Sequence, residues 1–268
     1  MSEDEAFIRA IVDSPGDDTP RLVYADWLDD RSDPRGAYLR AELEWAQPWK
    51  ADHPPGWGPR ERGRGLPQWG DDYWEGLDEM MAAAVGLDPV WVARVSRPPA
   101  GVCCDHVRFT KFAPPPAATD VARVETSYGR PLASEHRAFL LNYNGGRPDL
   151  RQLIVRGGDE GSWDRLTVQS FAWVRTAGRE LASEDESVEA LRDLLDYLEA
   201  ECDGFEVPDV ATRYVPVGQV HSNGVLLMKA DVVPSREIYV LWTEDWGKPE
   251  PLTRSLPELL ARITTDPI

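Results

Sequence analysis

Nucleophilic catalysis needs a Ser, Cys or Thr held against a base, and four histidines are available for that role: His53, His106, His136 and His221. None sits in a recognisable catalytic motif. Ser134 and His136 are two apart in a helical stretch, so their side chains face different ways. The three cysteines, Cys103, Cys104 and Cys202, are odd in number and two are adjacent, which is the spacing of neither a disulfide framework nor a zinc knuckle. Cys103, Cys104 and His106 lack a second ligand cluster, so no metal is expected. GxSxG and HExxH patterns are absent, and Gly157-Gly158 is not followed by the Lys-Ser and helix of a phosphate loop. The expectation is a protein that is not an enzyme, with no catalytic residues and no cofactor. An acid–base site assembled from distant positions stays open, because carboxylates are too plentiful for any pair to stand out.

The carboxylates say more through their placement. The formal net charge is −18, and residues 184–209 hold eleven acids, Glu184, Asp185, Glu186, Glu189, Asp193, Asp196, Glu199, Glu201, Asp203, Glu206 and Asp209, against the single base Arg192. On a helix whose apolar stripe is buried, these groups face water and repel one another unless a cationic partner offsets them. One reading is a solvated helix face. The other is a docking surface for a basic protein, with Glu184, Asp185, Glu186, Glu189, Asp193, Asp196, Glu199 and Glu201 as the contact set. Direct binding of nucleic acid or an anionic membrane is not expected from so acidic a chain, since phosphate contacts need clustered Lys and Arg. Arg60, Arg62 and Arg64, set among Trp49, Trp57, Trp69 and Trp74, could stack on a single strand, but three arginines are too few against this background. No basic, apolar leader opens the chain, and no apolar run approaches the roughly 20 residues that span a bilayer. With reduced thiols, a cytoplasmic protein is expected.

The elements that must position these groups fall into three regions. Residues 1–47 read as helical, with Phe7, Ile8, Ile11 and Val12 on one stripe and Leu22, Val23, Leu28, Tyr38, Leu39 and Leu43 continuing it. Residues 48–100 read as a Pro-, Gly- and Trp-rich linker holding a short helix at 78–86 and a strand at 90–97. Residues 101–268 read as an α+β domain. Its expected elements are a strand within 103–112, helices at 119–128 and 132–143, and strands at 153–157 and 166–174. A helix follows at 187–201, with Val188, Leu191, Leu194, Leu195 and Leu198 as its apolar stripe. Strands at 214–220, 224–230 and 237–243 come next, with Ser222, Asn223 and Gly224 as a hairpin turn. The closing helix, 255–263, has Ser255 as N-cap, Glu258 at capping-box spacing and Pro257 in its first turn.

The run LASEHRAFLLNYNGG, 132–146, resembles the opening signature of the SUKH superfamily through Leu132, Phe139, Leu140, Asn144, Gly145 and Gly146. The glycine hairpin after the strand bearing Pro216 and the SLPELL helix are also similar to that family. The resemblance implies an antiparallel sheet flanked by helices. It also implies an immunity function, in which the protein binds and blocks a cognate polymorphic toxin, often a nuclease or deaminase. The alternative is a protein-interaction or regulatory scaffold, as in SUKH members outside toxin systems. Residues 20–30, PRLVYADWLDD, and 33–42, DPRGAYLRAE, resemble the bacterial repeat-companion domain through Arg21, Tyr24, Asp26, Trp27, Asp33, Arg35 and Gly36. That family implies no activity for the segment. Read as structure alone, Tyr24 and Trp27 pack a helical pair, Asp33 caps a turn and Arg35 pairs with a carboxylate.

Overall fold

The computed structural model describes residues 2–52, 79–80, 82–97, 101–103, 107–110, 113–149, 152–156, 163–176, 187–201, 209–221, 223–230, 235–243 and 248–264. The chain forms an α+β fold in two compact units, 1–106 and 107–265.

The N-terminal unit is helical among its described residues. In α1, Glu3–Asp13, the Ser2 hydroxyl caps the first turn by accepting from the Glu5 N–H at 3.1 Å. Helix α2, Thr19–Asp29, begins with Pro20 in its first turn, and α3, Arg35–Asp52, starts where the Asp33 carboxylate accepts from the Arg35 N–H at 3.0 Å. The backbone stays helical through Pro48, so the helix overruns the boundary expected at 47.

Of residues 90–97, expected as a strand, 90–95 instead belong to a helix, α4, Pro89–Val95, and Ser96 is its extended C-cap. The alternation in VWVARV mimics a half-buried strand, but Asp88 caps the N-terminus through the Val90 N–H at 3.0 Å and Pro89 occupies the first turn. A strand here would also lack a ladder partner among the described residues of this unit. Trp91 and Val95 are buried, and the Trp91 ring packs at 6.3 Å from Tyr24 and edge-on at 5.7 Å from Tyr38. The stretch expected as linker therefore supplies part of this unit's core.

In the second unit, β1, Phe109–Thr110, pairs with β2, Arg147–Pro148, so a two-residue ladder is what the described part of 103–112 forms. Helix α5, Ala118–Tyr128, stops at Gly129, whose φ of 66° lets the Arg130 N–H reach back to the Glu125 carbonyl at 3.1 Å. Helix α6, Ser134–Asn142, follows. Among the described residues the main sheet has seven strands in the order β8-β7-β6-β5-β4-β3-β9, every pair antiparallel. These are β3, Gln152–Arg156, β4, Trp163–Phe171, β5, Tyr214–Val220, β6, Gly224–Lys229, β7, Ile238–Trp242, β8, Glu250–Thr253, and β9, Ile263–Thr264. Helices α7, Val188–Glu201, and α8, Val210–Arg213, lie between β4 and β5 in the chain, and α9, Leu256–Ala261, between β8 and β9.

Val225 to Met228 of β6 are all buried, and since alternate residues face opposite sides, both faces of the sheet are covered. On one face Val225, Leu227 and Leu241 pack with Leu195 of α7 and Val210 and Ala211 of α8. Val121, Val124 and Tyr128 of α5 share a second cluster with Leu140, Val174, Val188, Leu191 and Val215. The β5–β6 hairpin turns through Asn223 at φ 60°, and α9 carries the expected cap, the Glu258 N–H donating to Ser255 Oγ at 3.2 Å. Among the described residues, no helix is long and apolar enough to cross a membrane.

Candidate functional site

The groups that could do chemistry are dispersed. Ser134 Oγ donates to the neighbouring Glu135 carboxylate at 3.0 Å. His136 is buried, neither ring nitrogen has a hydrogen-bond partner among the described residues, and desolvation pushes its pKa down to about 4. It is therefore neutral at neutral pH. His221 is exposed in the β5–β6 turn, and the buried Cys103 donates its thiol to the Arg94 carbonyl at 2.7 Å. His53, His106, Cys104, Cys202, Arg60, Arg62 and Arg64 lie outside the described residues, as do Gly157 and Gly158. Among the described residues no cluster of three His, Cys, Asp or Glu is placed to hold a metal.

The 132–146 signature does architectural work. Leu132, Phe139 and Leu140 are buried, and the Phe139 ring packs at 5.2 Å from Phe171. Asn144, Gly145 and Gly146 have φ of 45°, 76° and 108°, the left-handed backbone expected of a helix stop. Each residue also fastens the chain to the end of β4. The Asn144 carboxamide oxygen accepts from the Val174 N–H at 2.9 Å, and its nitrogen donates to the Pro114 carbonyl at 2.6 Å. A Cβ on Gly145 would lie 2.7 Å from the Phe171 carbonyl oxygen. Gly146 and Phe171 exchange two backbone hydrogen bonds, at 3.2 and 2.8 Å.

Most of the repeat-companion positions converge on the core of the N-terminal unit. Arg21 is fully buried and donates to the carbonyls of Val95 at 3.1 and 3.2 Å and Pro15 at 2.9 Å. Its Nε lies 3.7 Å from the equally buried Glu42 carboxylate, whose other oxygen accepts from the Arg97 N–H at 2.6 Å. Tyr24 donates to Asp4 at 2.5 Å and accepts from Trp91 Nε1 at 3.1 Å. Arg35 binds both oxygens of Asp33, and these hydrogen bonds hold the Asp33 carboxyl below its usual range. Gly36 sits close against α2: a Cβ there would displace the Asp29 carboxylate, 2.3 Å away, and press on the Ala25 carbonyl oxygen at 3.2 Å. Asp26 pairs with Arg40 at 2.6 Å, and the half-buried Trp27 carries the Arg31 guanidinium 3.8 Å above its ring.

The acidic helix α7 divides its predicted contact residues between inward and outward roles. Glu184, Asp185 and Glu186 lie outside the described residues, as do Asp203 and Glu206. Glu189 is partly buried, with its carboxylate 3.6 Å from Arg123, and Glu199 accepts from the Asp209 N–H where α8 begins. Asp193 and Asp196 are exposed. Arg192, the one base in this stretch, is turned inward: its NH1 donates to the Ser127 carbonyl at the end of α5 at 2.9 Å, and its guanidinium sits 4.6 Å above the Tyr128 ring. Asp196 lies 3.9 Å from Arg192 Nε.

Val188, Leu191, Leu195 and Leu198 form the buried stripe, but Leu194, expected among them, is 37% exposed. It stands about 100° round the helix from Leu195, at the edge of the stripe. Tyr197 is 62% exposed and was not among the expected contact residues. Its position about 200° from Leu195 carries the signal that finds it, because that rotation places an aromatic opposite the buried face. The outward strip of α7 is thus Asp193, Leu194, Asp196, Tyr197 and Ala200, with both acids on one side of the exposed aromatic and Leu194 on the other.

Compared with known proteins, the chain matches no family model and no curated protein.

Proposed function

We propose that this chain is an immunity-type binding protein of the cytoplasm, SUKH-like in its second unit, which neutralises a basic toxin domain by occluding it. It acts by binding, without catalysis. The observation that carries the reading is the outward face of α7, where Asp193 and Asp196 are exposed and the one base, Arg192, lies on Tyr128 and the Ser127 carbonyl with its Nε 3.9 Å from Asp196. Fixed negative charge on a rigid helix accelerates encounter with a cationic partner and penalises an acidic one. The order of the described elements in the second unit supports the family half of the reading: two helices, then an antiparallel sheet interrupted by α7 and α8, with α9 ahead of the last short strand.

The test is coexpression with a basic toxin domain encoded beside this protein, scored by copurification and by protection of growth. The expected result is a complex that weakens steeply with salt and is lost when Asp193 and Asp196 are reversed to Lys. Binding unchanged by that reversal would sink the acidic-face mechanism. A second reading, an interaction scaffold, is favoured by the N-terminal unit, where Leu22 and Val23 of α2 are exposed side by side. It predicts partners that bind residues 1–106 with no toxin gene nearby.

A further inference from the structure

We infer that His136 makes the seating of α6 acid-sensitive: the helix packs into the core of the second unit only while the imidazole is neutral, and a proton on the ring releases it. His136 falls at helical spacing from Leu132, Phe139 and Leu140, all buried, so it sits inside the apolar stripe of α6. It is 1% exposed, and neither ring nitrogen has a hydrogen-bond partner among the described residues. A neutral imidazole is tolerated in such a site at a modest cost. An imidazolium, with a full charge and no acceptor for either N–H, is not.

The acids on the elements packed against α6 are engaged elsewhere. On α5, Asp120 pairs with Arg123 at 3.1 Å, and Glu125 accepts from the Leu132 N–H at 3.1 Å with Arg137 Nε 3.7 Å away. On α9, Glu258 pairs with Arg262. On α6 itself, the buried Glu135 accepts from Ser134 and from Arg236 Nε, the latter at 2.5 Å, and it stands about 100° round the helix from His136. β1 and β4 meet the helix through Phe109 and Phe171, which do not titrate. Desolvation is accordingly what acts on the ring, and it lowers the pKa to about 4 from an ordinary 6.5. Between those values the unfolded chain takes up a proton that the packed helix refuses. The packing of α6 therefore weakens as pH falls from about 6.5 to about 4, and is level above that range. The buried Glu42 carboxyl of the N-terminal unit is shifted up and responds in the opposite sense, so that unit is an internal reference.

The test is amide hydrogen exchange of the full chain at pH 7, 6 and 5, corrected for the intrinsic exchange rate at each pH, with the imidazole nitrogen shifts of His136 followed by NMR over the same range. The open population of α6, read from amides 137–142, should rise by up to about tenfold for each pH unit below about 6.5, while α2 and α3 keep their protection. His136→Leu, similar in volume and unable to take a proton, should hold α6 protection level across the range, and His136→Phe is the second variant should the first fail to fold. In the unaltered chain the His136 ring should still be neutral at pH 5, and this reading decides the matter if neither variant folds. Protection of α6 that is unchanged from pH 7 to 5 overturns the inference. So does an equal loss in His136→Leu, or a His136 ring that takes its proton near pH 6.5 while α6 stays protected.

Discussion

The carboxamide of Asn144 clasps both backbone groups of Val174, its oxygen accepting from the N–H at 2.9 Å and its nitrogen reaching the carbonyl at 3.3 Å. Asn144 is fully buried, so it imitates a strand edge at the point where β4 runs out. Asn144→Ala leaves the Val174 N–H and the Pro114 carbonyl without these partners in the interior, and strains a backbone held at φ 45°. The expected loss is about 2–4 kcal/mol, read from urea unfolding. Asn144→Gly relieves the backbone but not the hydrogen bonds, so it should recover only a minor part.

Gly145 next to it is limited by space as well as conformation. A Cβ would sit 2.7 Å from the Phe171 carbonyl oxygen and 2.8 Å from backbone atoms of Ala172, and φ is 76°. Neither neighbour is a flexible side-chain tip that can swing away. Gly145→Ala should therefore cost more than the roughly 1 kcal/mol of a strained turn glycine. Gly129→Ala is the control, since nothing lies within 4 Å of a Cβ there and only the φ of 66° resists it. A melting temperature lowered equally by the two substitutions would show that packing against β4 contributes nothing.

How far these features were legible in the sequence depended on whether a local signal or a distant neighbour decided them. The Ser255–Glu258 cap, the Gly129 stop and the strand 214–220 carry their signals within a few residues, and the structure places them as expected. Helix α4 was misread because its alternating valines resemble a strand, while Asp88 and Pro89, the residues that commit it to helix, lie outside that alternation. The edge strands β8 and β9 have four and two residues, too short for any period to show. In the candidate site the charge of α7 was legible, but the division of labour was not. Glu189 and Glu199 are engaged by Arg123 and the Asp209 N–H, which belong to other segments, and composition says nothing of that.

Trp91 provides a test of where the N-terminal unit ends. It is buried, donates to the Tyr24 hydroxyl at 3.1 Å and meets Tyr38 edge-on. Trp91→Ala should destabilise that unit by about 3–5 kcal/mol, the range for an aromatic removed from a core. The change should be visible as earlier loss of protection in α2 and α3 by amide hydrogen exchange. Full retention of that protection would mean that α4 is peripheral and that the unit ends nearer residue 52.

Glu42 links the stability of the N-terminal unit to pH. Burial raises its carboxyl to about 7 from an ordinary 4.5, against the opposing pull of Arg21 and the Arg97 N–H. Between those two pH values the folded chain keeps a proton that the unfolded chain has released. Stability therefore falls as pH rises from about 4.5 to about 7, by a few kcal/mol in all, and is level above that. Glu5 and Asp33 act in the opposite sense at lower pH, because arginine hydrogen bonds depress both, and their contribution is lost as pH falls through the acid range. Glu42→Gln keeps an acceptor for the Arg97 N–H but cannot titrate, and it leaves Arg21 without its carboxylate. The variant should thus be less stable than the unaltered chain at pH 8, where a buried charge goes unpaired. Its stability should also change less between pH 5 and 7, which urea titrations at fixed pH steps would resolve. Parallel stability curves for the two proteins across that window would show that Glu42 stays ionised in the folded state, held by Arg21.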